Sequence, residues 1–344
     1  MKNSLFFVCI ILLTSCSGLY RFTIEVQEPA QITLPSDIVD VLVVNNAAPQ
    51  PGDTGINRIY KGTEINGMKL NLDSISDIAT TALATHLKES HFFNQVLFSP
   101  VSLRSDKNWM GSEPLTEAFK TETFKTHGFD GIISIDRLMF KLDQEVRNNL
   151  SMDLVLHSIT TCSIYIYDRE NPLTTFSIPD SLSYSTFTFG DTIDVCKNFP
   201  QSTIEDLAYT IGERLSQLII PSWIEKERFL YAGSQSRMSE ALSFARKGNW
   251  QYASSLWMDE YSHASRPEAK GKIAANLAIA YEMQDQFDRA LQWAATAQNH
   301  FRENGKPDDS TDNTRIDTYM NDLQKRIRDN YLLDIQWGVH KKEN

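Results

Sequence analysis

Few residues in this 344-residue chain are spaced for chemistry, and those few limit the reactions it could support. His86 and His91 stand five apart, so a helix would turn them to different faces, and the pair matches no metal-ligand spacing. Asp308, Asp309 and Asp312 cluster, yet they lack the glycine and terminal glutamate of a calcium loop and read as a solvated cap. A nucleophile elbow, a paired-histidine zinc helix, a Walker loop and a dinucleotide-binding glycine motif are all absent from the sequence. No cofactor and no metal is therefore expected. Carboxylate pairs whose members meet only in space stay open as an alternative: a hydrolase of envelope glycans or peptides, its site near the 47–70 segment.

The remaining reactive candidates are the four cysteines. Cys16 follows Lys2, a nine-residue apolar block from Leu5 to Leu13, and the small residues Thr14 and Ser15. The block is too short to span a membrane, which needs about 20 apolar residues, but has the length of a secretory core ending at small residues. It reads as a signal peptide, residues 1–15, with a lipobox, and it resembles bacterial lipoprotein signals. That resemblance implies a diacylglyceryl group on the Cys16 thiol and cleavage that makes Cys16 the new N-terminus; an ordinary secretory signal or a buried strand is the alternative. Acyl chains contribute about 0.8 kcal/mol per buried methylene, so two or three of them anchor stably. No acidic residue follows Cys16 directly, unlike many Bacteroidota lipoproteins exported to the cell surface, so the periplasmic face of the outer membrane is expected. Cys9 leaves with the signal. Cys162 and Cys196 are either a disulfide, which an exported protein permits, or two free thiols.

Composition bounds the rest. With 41% hydrophobic and 22% charged residues, the chain has enough length for two cored domains. Thirty-three basic residues against 44 acidic ones, net charge −11, exclude the basic face of a nucleic-acid binder.

The elements that must position any site are an α/β domain over 16–222 and a helical domain over 223–344. In the first, alternation from Tyr20 to Val26 predicts a strand, leaving a short tether that sets this domain against the bilayer. Ile38–Val44 is a buried strand. The segment 47–70, rich in glycine and proline, reads as a long loop. Ser74 with Asp77 caps a helix, Phe92–Pro100 holds a short strand, and Ser112 with Pro114 opens a second helix ending near Gly128. Three strand-like stretches, 129–142, 151–168 and 173–189, form an antiparallel meander, and a helix from Thr203 to Ile220 stops at Pro221. This order gives a mixed sheet covered by helices. The layout, with the Phe129-Asp130-Gly131-Ile132 turn, is similar to the α/β domains of curli-secretion and peptidoglycan-synthase-activator lipoproteins.

Beyond Trp223 the composition becomes helical, and two stretches align. Ala241, Phe244, Gly248, Trp250 and Ala253 correspond to Ala278, Tyr281, Asp285, Phe287 and Ala290, a period of 37. Small residues let paired helices approach while aromatics fill the gap between hairpins. The pattern resembles tetratricopeptide repeats, close to their 34-residue period, with Asp285 where the family has glycine and no closing proline. A helix from Thr314 to about Leu333 caps the stack. The resemblance implies a partner-binding concave face at Met238, Leu242, Arg246, Lys272, Ile279 and Met283, or else mere packing of the repeats on the first domain. The whole resembles uncharacterised Bacteroidota lipoprotein families with this architecture. The expected protein is a lipid-anchored, non-catalytic interaction or assembly module that docks a protein or a copy of itself. In a further alternative the Tyr20–Val26 strand pairs between protomers.

Overall fold

The computed structural model describes residues 18–60, 62–64, 69–148, 151–187, 201–233, 236–303 and 310–338. The chain forms two compact units, residues 29–222 with 334–344 and residues 1–28 with 223–333.

The first unit is a mixed α/β sheet domain. It is built around β2 (Asp40–Asn45) and the long β6 (Gly131–Asn148), numbered with β1 (Leu19–Glu28) as the first strand of the chain. The β-branched run Asp40–Asn45 lies parallel to the first half of β6, Val41 opposite Gly131 through Asn45 opposite Ile135. The second half of β6 pairs in parallel with β3 (Ile56–Tyr60), which turns back into the two-residue β4 (Thr63–Glu64). The 47–70 segment is therefore partly strand. Its alternating Ile56, Arg58 and Tyr60 earn a place in the ladder that its glycines and prolines concealed. β5 (Gln95–Ser99) lies parallel to β2 and is bonded to no other strand among the described residues. On the far side of β6, β7 (Ser151–Ile166) and β8 (Thr174–Phe187) complete the expected antiparallel meander.

One face of the sheet carries the main core. Val41, Val43, Ile133 and Ile135 pack against α1 (Ile75–Glu89) and α3 (Gln201–Ile219), whose Leu83, Leu87, Ile211 and Leu215 are buried. The two helices close on Gly212, where a Cβ would fall 2.5 Å from the Ala79 carbonyl oxygen. The other face carries a smaller cluster, Val44, Leu115, Ile132 and Tyr165, beneath α2 (Glu117–Thr121) and a π-helical turn, Glu122–Thr126. The helix expected from Ser112 thus starts later. Thr116 is its N-cap, accepting from the Phe119 amide at 3.3 Å, and Gly128 follows with φ +73°. Ser74 makes no capping bond; Asp77 instead accepts from Asn45 Nδ2 at 2.8 Å.

The second unit differs from expectation at its start. Residues Ser222–Tyr231 are a strand, β9, and β1 pairs with it in a separate two-stranded sheet. Strand Tyr20–Val26 thus belongs with the helical region and not with the α/β domain, and it has its pairing partner within its own chain. Five helices follow: α4 (Ser236–Ala245), α5 (Trp250–His263), α6 (Pro267–Glu282), α7 (Phe287–Glu303) and α8 (Thr311–Gln336). Trp257, Leu277, Ile279, Phe301 and Leu323 form the core with a run of alanines. Alanine and glycine permit the close approach: at Gly271 of α6 a Cβ would meet the Phe301 ring at 2.6 Å.

The two hairpin turns are built alike. Gly248 and Asp285 both take the left-handed conformation, φ +79° and +56°. The Gly248 amide donates to Ala245 and the Asn249 amide to Phe244, at 2.9 and 3.0 Å. Thirty-seven residues on, Asp285 donates to Glu282 and Gln286 to Tyr281, at 3.0 and 2.9 Å. Aspartate tolerates this conformation better than most residues because its short side chain bonds locally.

Candidate functional site

In the helical unit the six residues expected on a concave face separate. Ile279 is fully buried, because α6 has neighbours on almost every side; it presents nothing to a partner, which corrects that expectation. Met238 is also buried, but it forms the floor of a cleft of about 320 Å³ whose wall includes Lys272, Arg266, Glu268 and Gly233. Leu242 and Met283 are half-buried against the core, and Arg246 is exposed. None of these three lines that cleft. The surface of the first hairpin is instead occupied by β1. Arg246 lies over the Tyr20 ring at 5.1 Å, and Phe22 stacks on Trp250 with centroids 5.7 Å apart. Of the repeat-packing residues, Ala241, Ala253, Ala278 and Ala290 are fully buried, and Phe244, Trp250, Tyr281 and Phe287 pack against the core from its margin.

Two further clefts lie in this unit, the nearer sharing Ala232 and Lys272 with the first. One, about 350 Å³, is lined by Gly18, Arg21, Ala232, Lys272, Asp312 and Arg315. The other, about 510 Å³, shares Arg21 and Arg315 and extends along α8 past Thr314 and Thr318 to Asp322. Their cations are matched by carboxylates: Arg21 with Glu227 at 2.7 Å, Lys272 with Glu268 at 2.8 Å, Arg315 with Asp312 at 3.1 Å. Such a lining suits a polar, mixed-charge surface and not an isolated anion.

Beneath the clefts lies a buried ionic network. Glu282, 0% exposed, accepts from Arg228 Nε and Nη2 at 2.9 and 2.8 Å and from Arg326 Nη1 at 2.7 Å. Burial works against the Arg228 charge, but the Glu282 bonds outweigh it and leave the guanidinium more firmly protonated than usual. Burial, and then the negative charge of Glu282, push the Tyr319 hydroxyl well up. Burial first, and then its bond to Asp312 at 2.8 Å, raise Tyr231 likewise. Asn276 closes on the Tyr231 main chain from both sides, accepting from its amide at 2.7 Å and donating to its carbonyl at 2.9 Å. These contacts hold β9 to α6 and so fix the cleft floor.

The α/β unit holds a buried carboxyl and a buried thiol. Asp136, at a bulge in β6 between Ile135 and Arg137, accepts from Ser134 Oγ at 2.6 Å and Asn46 Nδ2 at 3.1 Å. Burial raises its carboxyl above the ordinary range, opposed by bonds from Ser134, Ser163 and Asn46. Beside it Cys162 is a fully buried free thiol, pushed well up by burial and then by the Asp136 charge, the reverse of a reactive cysteine. Its suggested mate Cys196 lies outside the described residues, as do Cys16, Asp308 and Asp309. The 47–70 segment is bound to the sheet: Gln50 donates to the Phe140 carbonyl at 2.9 Å and accepts from its amide at 2.7 Å. His86 packs edge-on to Tyr209, and His91 stands alone past the helix end with φ +54°. Among the described residues no group of three or more His, Cys, Asp or Glu is placed to hold a metal, and no helix is long and apolar enough to cross a membrane.

Fold and site define a mixed α/β sheet domain followed by a helical region with a rigid, ion-paired cleft floor. The family model described as Domain of unknown function (DUF8603) matches residues 38–231, more than half of the chain, and the chain belongs to that family. A second model, Domain of unknown function (DUF6340), matches residues 239–325, within the helical region. No curated protein matches. Among solved structures, the chain is similar to a minor lipoprotein from Acinetobacter baumannii determined at 2.35 Å: 14% identity, 54% of this chain and 98% of that one covered, TM-score 0.25. A likeness that slight supports no inference of fold or function.

Proposed function

We propose that this protein is a lipid-anchored, non-catalytic assembly module of the cell envelope, attached through acyl chains on Cys16. Its helical unit is the part joined directly to the lipid. The observation that carries this reading is the position of Gly18. Its carbonyl accepts from the Ala232 amide, and β1 runs on from it to cover the first helical hairpin. Ser17 alone separates Gly18 from Cys16, a span of about 7 Å at full extension. The described element nearest the lipid along the chain is thus β1, which pairs with β9 of the helical unit. The clefts beside Gly18 then open close to the bilayer, where a protein partner carrying both signs of charge would dock.

The identical bonding of the two turns supports a tetratricopeptide-like reading of the hairpins. The lack of an acidic residue directly after Cys16 supports the periplasmic face of the outer membrane, and the two-domain architecture supports a likeness to Bacteroidota lipoproteins. Leu242, Arg246 and Met283 are secondary candidates for partner contact, since β1 already covers much of their surroundings; Lys272 is the principal one. The test is a photo-reactive residue at Thr314 in the cleft wall, with and without Cys16→Ala. The reading expects crosslinks to an envelope protein that vanish when the alanine variant leaves the membrane pellet. An alanine variant that stays in the pellet and keeps its crosslinks would refute it.

A further inference from the structure

Two of the edges of the α/β unit's sheet, β8 and β5, are treated differently. At one end β8 carries Pro179, which has no amide hydrogen to offer, next to Asp180, which is ion-paired with Arg214. Proline and charge on an edge strand discourage pairing with another chain. At the other end β5 has neither. No Asp, Glu, Lys or Arg occurs from Ser90 to Leu103. Leu97 and Phe98 point to opposite faces of the sheet, yet they are 47% and 45% exposed, and Val101 just beyond them is 69% exposed. An open edge flanked by apolar side chains on both faces is a template for strand addition.

We propose that this edge joins two copies of the protein, β5 of one pairing antiparallel with β5 of the other about a twofold axis. Among the described residues the outer main chain of β5 has no strand partner and calls for an extended strand, and the neutral strip identifies whose. At a net charge of −11, copies approaching through charged surface repel, whereas Ser90–Leu103 contributes no Asp, Glu, Lys or Arg and its apolar residues can meet apolar residues. No charged side chain within that stretch selects a partner of a different charge. Twofold pairing sets the Leu97 and Phe98 rows of each copy against their counterparts and removes both open edges together. The inference is independent of the lipid anchor and of the helical clefts.

The test is sedimentation velocity of the full chain in mild detergent over a range of concentrations, with cysteines placed singly at Leu97, Phe98 and Ser99 for oxidation in intact cells. Residues directly opposite in an antiparallel pair lie about 4.5–5.5 Å apart, within reach of a disulfide. The proposal expects a concentration-dependent dimer, an oxidised dimer from at least one of the three cysteines and none from Leu182→Cys on β8, and association weakened more than tenfold in favour of monomer by Leu97→Lys. Circular dichroism checks that the lysine variant is folded; should it not be, the cysteine result decides. A chain that is monomeric throughout, a dimer that folded Leu97→Lys leaves intact, or the absence of oxidised dimer at all three positions would overturn it.

Discussion

Replacing Glu282 by Gln tests whether the buried network holds the cleft floor together. The substitution preserves shape but leaves two guanidinium groups, of Arg228 and Arg326, without their shared carboxylate. Arg228 would keep its bond to the Glu227 carbonyl at 3.0 Å and its place over the Tyr319 ring, but the remaining carboxylate, Asp322, stands 3.6 Å from it and is partly exposed. Removing one partner of a buried ion pair costs about 3–5 kcal/mol. At 1.4 kcal/mol per tenfold, protected amides that exchange through opening of this unit should then exchange on the order of a hundredfold faster or more. Hydrogen exchange read by mass spectrometry suits the question, because a chain of two units need not unfold in one step and peptides report each separately. Peptides from β9 and α6 should accelerate while those from β2 and β6 do not. The double change Arg228→Met with Glu282→Leu should recover most of the loss, since apolar replacement of a whole buried pair is often neutral. Equal acceleration in both units, or a double variant as weak as the single one, would refute the assignment of the network to β9–α6 adhesion.

Four other outcomes are expected. Asn276→Ala, which strips both bonds from the Tyr231 main chain, should destabilise by about 1–3 kcal/mol, seen as loss of protection at the Tyr231 amide. Gly212→Ala should cost about 1–3 kcal/mol or prevent folding of the α/β unit, because its Cβ would meet Ala79 and Ala82 at 2.5 and 2.6 Å; chemical denaturation measures it. At the two equivalent turns, Gly248→Ala should destabilise by about 1 kcal/mol while Asp285→Gly is neutral or stabilising, by thermal melting. The raised Asp136 carboxyl means the folded state holds its proton longer than the unfolded state. Stability should therefore decline as pH rises from the ordinary aspartate value of 3.8 to the higher folded value, and then stay lower. Asp136→Asn should remove that part of the pH dependence, measured by denaturation across the acid range.

What the sequence made legible was mostly local. The β-branched run of β2, the meander of β6 to β8 and the apolar stripes of α1 and α3 declare themselves by periodicity, and the repeat of Gly248 and Asp285 marks two turns with one geometry. What escaped depends on distant contacts. β9 is hard to see because its alternation, Trp223 through Tyr231, sits directly before helices, and sequence order does not reveal that β1 belongs with it because the two lie some 200 residues apart. The 47–70 segment looked like loop because its prolines and glycines outweigh five strand residues that only β6 makes regular. Glu282 and Asn276 fall where a helix would place any polar residue, and only the Arg228 and Tyr231 facing them, 54 and 45 residues earlier, make them structural. Ile279 was expected on a binding face because one hairpin side is usually open; here α6 is enclosed.

The most direct measurement for the account as a whole is the intact mass of the protein taken from its native membrane, with sequencing of its first peptide. A mature chain starting at residue 16, heavier than its amino acids by fatty acyl groups on that thiol, is the predicted result. A chain that retains residues 1–15, or one that starts elsewhere without acyl mass, would contradict it.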